Sequence, residues 1–418
     1  MTETRKDLIP EYGPLHGVRI LGLGSIVAMP HAGNLLADLG AEFIQIERPG
    51  MGDSLRMLAP FSKKTKVSNG WMQDARNRLS ITLESNLNNE DAKAVFLDLI
   101  KEVDIFMDNM VWLKKLGIDD DEMLEANPKL VICHISGFGQ EAFGGEEGVS
   151  GRASFDMIGQ AYGGFLNLNG EPDGAPMVVK PYLNDYVSAL NATYGVLAAY
   201  IHAQKTGKGQ VVDVAQYEAM ARILCDTFVT YTENGEDKER TGNKTTAFQP
   251  YGLFFDKNGE YVVVGAFGRN VYNRFLEAVG FDKEYFAYEV AGNGVEAVMS
   301  ERGQELDQKI KEWCSQRTAK EIEDTLNAHR VPASKVNKAS DALNSEHFKA
   351  RNNFVTYTDQ TSGEEVTAFG VVPHMSETPG KVWRGAPAMG QDNELVYGEL
   401  LGYSEEKIEE LKEKGLIY

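Results

Sequence analysis

The residue whose type and setting best suit covalent chemistry is Asp185, in the run Pro181-Tyr182-Leu183-Asn184-Asp185-Tyr186. It stands where a long apolar helix begins. A carboxylate there meets the positive end of the helix dipole and is placed to act as a nucleophile. The same position makes Asn184 or Asp185 a natural N-cap, so placement alone leaves both readings open. A second candidate follows the second expected strand, in Glu47-Arg48-Pro49-Gly50-Met51-Gly52-Asp53. An arginine at the C-terminal end of a parallel strand, followed by glycines that admit a close backbone approach, suits a phosphate. A solvated arginine in a surface turn reads the same way. Arg56, Arg76, Arg78, Lys114 and Lys115 gather toward that end of the sheet, either as a local basic pocket or as scattered surface charge.

Other chemistry is poorly represented. Gly22-Leu23-Gly24 lies between a strand and a helix, but no third glycine completes a dinucleotide fingerprint. The seven histidines form no HExxH, the three cysteines no CxxC, and no GxSxG elbow occurs. No metal or redox cofactor is expected, nor a serine hydrolase. His134, inside an apolar strand, reads as a satisfied core histidine rather than a catalytic base.

The elements that must position these residues alternate. Val18–Leu23, Ala41–Ile46, Leu79–Leu83, Val103–Met107 and Leu130–Ile135 are continuous apolar runs, as expected of strands buried on both faces. Helical spacing over 32–39, 91–101 and 119–126 falls between them, and a long helix over 186–204 leads through Gly207-Lys208-Gly209 into strand Gln210–Val214. Strands and helices in this order predict a doubly wound parallel sheet. Residues 217–230 read as one further helix. After a polar, turn-rich stretch the chain changes character, which predicts a Rossmann-like large domain over 1–230, completed by 340–418, and a smaller α+β domain over 231–339.

The chain has 418 residues and a formal charge of −20, too long for one ordinary core and unfavourable to nucleic acid or anionic membranes. A phosphate site must therefore be built locally. The greasiest stretch, 187–203, is too short and polar for a membrane span, and scattered cysteines fit a reducing compartment, so a cytoplasmic protein is expected.

Taken in order, several segments resemble the class III CoA-transferases (the CaiB/BaiF family), which include formyl-CoA, carnitine and bile-acid CoA-transferases. They are Gly13-Pro14-Leu15-His16-Gly17, Leu36-Ala37-Asp38-Leu39-Gly40, Ile46-Glu47-Arg48-Pro49-Gly50, Ser136-Gly137-Phe138-Gly139-Gln140, Thr206-Gly207-Lys208-Gly209-Gln210 and Trp383-Arg384-Gly385-Ala386-Pro387. The resemblance implies that Asp185 is the family's aspartate nucleophile, forming a mixed anhydride and then an enzyme-bound CoA thioester. It implies coenzyme A contacts at Arg48, at the loop Ile26, Val27 and Ala28, at Asn77 and Arg78, and at Asn109, Lys114 and Lys115 beyond a shortened loop. It implies acyl-CoA and a small carboxylic acid as partners, with an interlocked homodimer. No histidine lies between His134 and His202, which argues against the related racemases, and Thr245-Thr246-Ala247-Phe248-Gln249 replaces the glycine-rich flap of formyl-CoA transferase. Likeness to the carnitine and bile-acid enzymes leads to an expectation of crotonobetainyl-CoA or γ-butyrobetainyl-CoA to carnitine transfer. Bile acids and other hydroxy or enoyl acids are the alternatives. A non-catalytic CoA-binding activator subunit and an acyl-CoA hydrolase are the competing readings.

Overall fold

A computed structural model describes residues 6–111 and 113–418. The chain forms two compact units: Met1–Phe165 with Val179–Cys225 and His347–Tyr418, and Leu166–Val178 with Asp226–Glu346. The smaller unit takes in Leu166–Val178, a segment the sequence reading leaves in the large domain. Arg240 accounts for this, since its guanidinium donates to the carbonyls of Asn167, Glu171 and Gly174 at 3.3, 3.3 and 3.0 Å.

The larger unit is built on six parallel strands: β1 Arg19–Leu23, β2 Glu42–Glu47, β3 Arg78–Thr82, β4 Ile105–Asp108, β5 Val131–Ser136 and β6 Gln210–Ala215. Their spatial order is β3-β2-β1-β4-β5-β6, the doubly wound α/β arrangement, so the order reverses between β1 and β4. The continuous apolar runs have a direct cause. Ile20, Phe43, Ile105 and Val131 face one layer with helices α1 (Ala28–Asp38) and α6 (Leu183–Thr206), whereas Leu21, Ile44, Phe106 and Ile132 face the other, where Phe96 and Leu99 lie. Three shorter helices matter below: α2 Asn69–Asp74, α4 Asp120–Ala126 and α5 Asp156–Tyr162; α3 spans Glu90–Lys101. α6 presents Ala189, Ala192, Val196, Ala199 and Ala203 to the sheet, a stripe of small residues at helical spacing that lets it lie close.

β3 is an edge strand, and the C-terminal segment covers it. Ser80 N donates to Asp392 Oδ2 at 2.7 Å and Thr82 N to Asn393 Oδ1 at 2.9 Å, while Tyr397 OH donates to the Thr82 carbonyl at 2.8 Å. Side chains thus satisfy backbone groups that an edge leaves exposed.

Two local expectations differ. The single helix over 217–230 is two, α7 Gln216–Arg222 and a second over Thr227–Asn234, broken where Cys225 adopts φ +56. α1 starts four residues earlier than its apolar spacing suggests, at Ala28. The smaller unit carries a three-stranded antiparallel sheet, Tyr251–Phe255, Tyr261–Gly265 and Ala333–Lys335. Helices Arg269–Val279, Glu301–Ser315 and Ala319–Ala328 share its core through Phe275, Ile310 and Ile322. Among the described residues no helix is long and apolar enough to cross a membrane.

Candidate active site

Reversal of strand order between β1 and β4 opens a crevice at the C-terminal ends of the strands, where open α/β sheets bind ligands. The loop after β1, residues 24–27, is held there from two sides. Asn109, just past β4, accepts from Ser25 N at 3.2 Å and donates to Ser25 O at 2.9 Å. Asp53 accepts from Ile26 N at 2.9 Å and from Ser25 Oγ at 3.1 Å, and is itself tied to Gln45 at 2.8 Å. Gly24 is needed for this clamp: a Cβ at its position would stand 1.9 Å from Asn109 Oδ1. Ile26 takes φ +70, a conformation a β-branched residue keeps only under such constraint.

Asp185 lies in the first turn of α6 rather than at its cap. The cap position is Tyr182, in a left-handed conformation at φ +101 with no side-chain cap bond. The acceptor for the helix start comes from elsewhere. Asp156 Oδ1, at the beginning of α5, accepts from Asn184 N at 2.7 Å and Asp185 N at 3.3 Å. Asp185 is half-buried, and Gln216 at the start of α7 donates to its Oδ1 at 2.5 Å. Burial, reinforced by the charge of Asp156 and opposed by the Gln216 bond, pushes its carboxyl up to about 7. Behind it Tyr186 donates to Asp74 at 3.0 Å and takes the ring edge of His31 at 4.6 Å between centroids.

A cavity of about 540 Å³ lies along the ends of β4 and β5 and is lined by Met110, Leu113, Lys114, Lys115, His134, Gly137, Gln140 and Arg152, among others. That size suits a small-molecule site. Lys114 and Lys115 are exposed on a single short turn of helix, Leu113–Leu116. His134 is buried with Nδ1 2.6 Å from Asp108 Oδ2 and Nε2 3.0 Å from Asp120 Oδ1. Burial alone would lower its pKa, but the two carboxylates prevail and raise it to about 10. It is therefore an imidazolium at neutral pH, satisfied as expected of a core histidine but charged. The cavity wall connects to the Asp185 region, because the Gly137 carbonyl accepts from Tyr217 N, next to Gln216, at 3.4 Å. Arg152 covers the Phe138 ring at 4.7 Å, and Phe138 and Tyr217 both meet Tyr162 edge-on.

The other residues singled out in the sequence divide into two groups. Arg48 is exposed immediately after β2, as a phosphate ligand requires, while Val27 and Ala28 are buried at the start of α1. Asn77 and Arg78 depart from the expectation of direct coenzyme A contact, because both are buried and committed to internal partners. Asn77 donates to Asp38 and to the Lys381 carbonyl, both at 2.8 Å, and Arg78 donates to Gln45 at 2.6 Å and to the Asp74 carbonyl. Asn109 likewise spends its amide on Ser25. Asp156 and Gln216 belong to the site but do not stand out in the sequence. Their only sequence signal is a polar residue at the start of a short helix, which is too common to mark a site. Among the described residues no group of histidine, cysteine and acidic side chains is arranged to hold a metal ion.

Residues 15–393 match the family model for CoA-transferase family III. The chain is similar to the bile acid CoA-transferase BaiK of Clostridium scindens, at 34% identity over all of this chain and 92% of that one. It is also similar to the succinyl-CoA–D-citramalate CoA-transferase of Chloroflexus aurantiacus, at 33% identity over 97% of this chain and 98% of that one. The L-carnitine CoA-transferase of Proteus mirabilis shares 32% identity over 98% of this chain and 97% of its own. A crystal structure of a CAIB/BAIF family protein from Brucella suis superposes with a TM-score of 0.79 at 24% identity, over 93% of this chain and all of that one, a likeness of fold.

Proposed function

Because the chain belongs to CoA-transferase family III, an enzyme family that acts on acyl-CoA, we propose that it moves coenzyme A from an acyl-CoA donor to a carboxylic acid through a covalent intermediate on Asp185. The observation that carries this reading is a half-buried carboxylate in the first turn of α6, oriented by Gln216, whose neighbour Tyr217 donates to Gly137 of the cavity lining. Its Oδ attacks the thioester carbonyl, and the C–S bond breaks to leave an acyl–aspartyl anhydride and CoA thiolate. The thiolate then attacks the aspartyl carbonyl, the anhydride C–O bond breaks, and the donor acid departs as its carboxylate. The acceptor carboxylate next attacks the aspartyl thioester carbonyl, expelling CoA thiolate and forming an acceptor–aspartyl anhydride. The thiolate then attacks the acceptor's acyl carbonyl, the anhydride C–O bond breaks, and Asp185 is restored as its carboxylate. Thioester energy is retained and one difficult exchange becomes several easier ones. Gln216 orients the attacking oxygen, and the loop at 24–27, fixed by Asn109 and Asp53, bounds the crevice and limits water that would hydrolyse the anhydride.

In this account Arg48, Lys114 and Lys115 hold the phosphates of coenzyme A, and Ile26, Val27 and Ala28 meet the chain that carries the thiol. Asn77, Arg78 and Asn109 support that surface from behind. For the acid, transfer to carnitine and transfer to bile acids or other hydroxy or enoyl acids stand side by side. A trimethylammonium group wants open aromatic faces. Phe138 is covered by Arg152 and Tyr186 is engaged by Asp74 and His31, whereas Tyr162 and Tyr182 keep exposed rings. A homodimer in the cytoplasm completes the proposal, supported by the exposed Leu190, Tyr194 and Ile201 on α6 and by three free cysteines.

The test is turnover by purified protein with a panel of acyl-CoAs and acids. Transfer predicts acceptor-dependent formation of a new acyl-CoA, matched one for one by released donor acid. Free CoA formed without an acceptor would indicate a hydrolase, and tight CoA binding without turnover would indicate a binding subunit.

A further inference from the structure

We propose that Asp156 is a positioning residue for Asp185: from α5 it caps the first turn of α6 and keeps a second carboxylate beside the nucleophile. This rests on the reading of Asp185 given above. The local sequence leaves α6 without a cap of its own, since Tyr182 supplies no side-chain acceptor and Asn184 is turned inward. A helix start buried without acceptors is costly, and Asp156 Oδ1 fills that need by taking both Asn184 N and Asp185 N. Asp156 is itself fixed. Gln160, one turn along α5 and fully buried, donates to Asp156 Oδ2 at 2.7 Å. Gln160 is pinned in turn by Val179, donating to its carbonyl at 2.9 Å and accepting from its N–H at 3.1 Å. The chain Val179–Gln160–Asp156 therefore sets where the Asp185 backbone lies, while Gln216 sets where its carboxylate points.

The arrangement has an electrostatic consequence. Titratable groups on the elements packed around this end of α6 are His31 of α1, Asp74 of α2, Cys133 and His134 of β5, Asp156 of α5, Asp213 of β6, and Tyr217 and Glu218 of α7, with Tyr182 and Tyr186 on α6 itself. Among them Asp156 is the one whose charge raises the Asp185 carboxyl. A raised pKa makes the carboxylate more basic, hence a stronger nucleophile once ionised, at the cost of a smaller ionised fraction below neutrality.

Asp156→Asn keeps an oxygen for the two N–H groups and removes the charge. The acid limb of kcat/KM then moves to lower pH, so at pH 6 the variant retains a larger share of its plateau rate than the roughly one tenth left to the wild type. Asp156→Ala removes the cap as well, and kcat falls at least about tenfold with KM for acyl-CoA little changed. Gln160→Leu, which leaves the charge but frees Asp156, lowers kcat severalfold and serves if an Asp156 variant does not fold. Asp185→Ala is the reference. If it still transfers CoA, the nucleophile reading fails. If it is inactive while folded Asp156→Asn keeps the wild-type acid limb and Gln160→Leu keeps the wild-type kcat, the positioning role alone is overturned. A fall in melting temperature with an unmoved pH profile and kcat likewise overturns it.

Discussion

Asn109 grips Ser25 by both of its backbone polar atoms, accepting from Ser25 N at 3.2 Å and donating to Ser25 O at 2.9 Å. One amide thus joins the ends of β1 and β4 across the point where strand order reverses. Asn109→Ala gives up two hydrogen bonds of about 1 kcal/mol each, so kcat/KM for acyl-CoA falls by somewhat more than tenfold. Steady-state kinetics check this, and an unchanged kcat/KM would mean the loop is held by Asp53 alone.

Arg78 yields a prediction of a different kind. It is buried with its guanidinium on Gln45 and the Asp74 carbonyl and 3.7 Å from Asp53, itself buried. Removing one member of such a group leaves uncompensated buried charge, a loss of about 3–5 kcal/mol. Arg78→Ala therefore lowers denaturant stability by about that much, whereas affinity for CoA in the protein that remains folded changes little. A variant of normal stability with weak CoA binding would return Arg78 to the ligand surface.

His134 makes folding pH-dependent on the alkaline side. Its pKa is about 10 in the folded chain against 6.5 for an unperturbed histidine. The folded state holds the proton more tightly, so the contribution is complete below about 6.5 and is lost as pH rises toward 10. The stability difference between the wild type and His134→Gln should shrink across that window. Chemical denaturation at pH 6.5, 8 and 9.5 measures it, and a difference that grows with pH would contradict a charged imidazolium between Asp108 and Asp120.

Lys114 and Lys115 are exposed on the cavity lining. Two charge-assisted contacts to phosphate, each about 1.5–3 kcal/mol, predict that Lys114→Ala combined with Lys115→Ala raises the Kd for CoA at least about a hundredfold. The wild-type affinity should also fall with salt more steeply than that of the double variant. Equal salt dependence would place the phosphates elsewhere, with Arg48 and Arg152 among the cations left to hold them.

The parts of the molecule legible in the sequence are those where one local rule decides. β1 to β5 are continuous apolar runs because helices or the C-terminal segment cover both faces, and α6 shows itself as the greasiest stretch of the chain. Asp185 could be singled out because it opens that helix. Its partners could not. Gln216 and Asp185 are 31 residues apart and meet only because α6 returns the chain along the sheet to β6 and α7. Asp156 starts a seven-residue helix behind an irregular Gly- and Glu-rich loop with no helical period to announce it. Arg78 differs for a related reason: the resemblance implies a coenzyme A contact there, and only the fold brings Gln45, Asp53 and the α2 carbonyl around it. The arginine-driven transfer of Leu166–Val178 to the smaller unit is another long-range pairing with no local signal.

During transfer Asp185 is proposed to become covalently attached to its substrate. Intact mass measurement after mixing the protein with acyl-CoA, followed by hydroxylamine trapping and peptide mapping, tests it most directly. Covalent transfer through Asp185 gives a CoA-sized adduct converted by hydroxylamine to a hydroxamate on the peptide that carries Asp185, and its loss in Asp185→Ala. Transfer that proceeds at the wild-type rate in Asp185→Ala, or an adduct mapping to another residue, would contradict it.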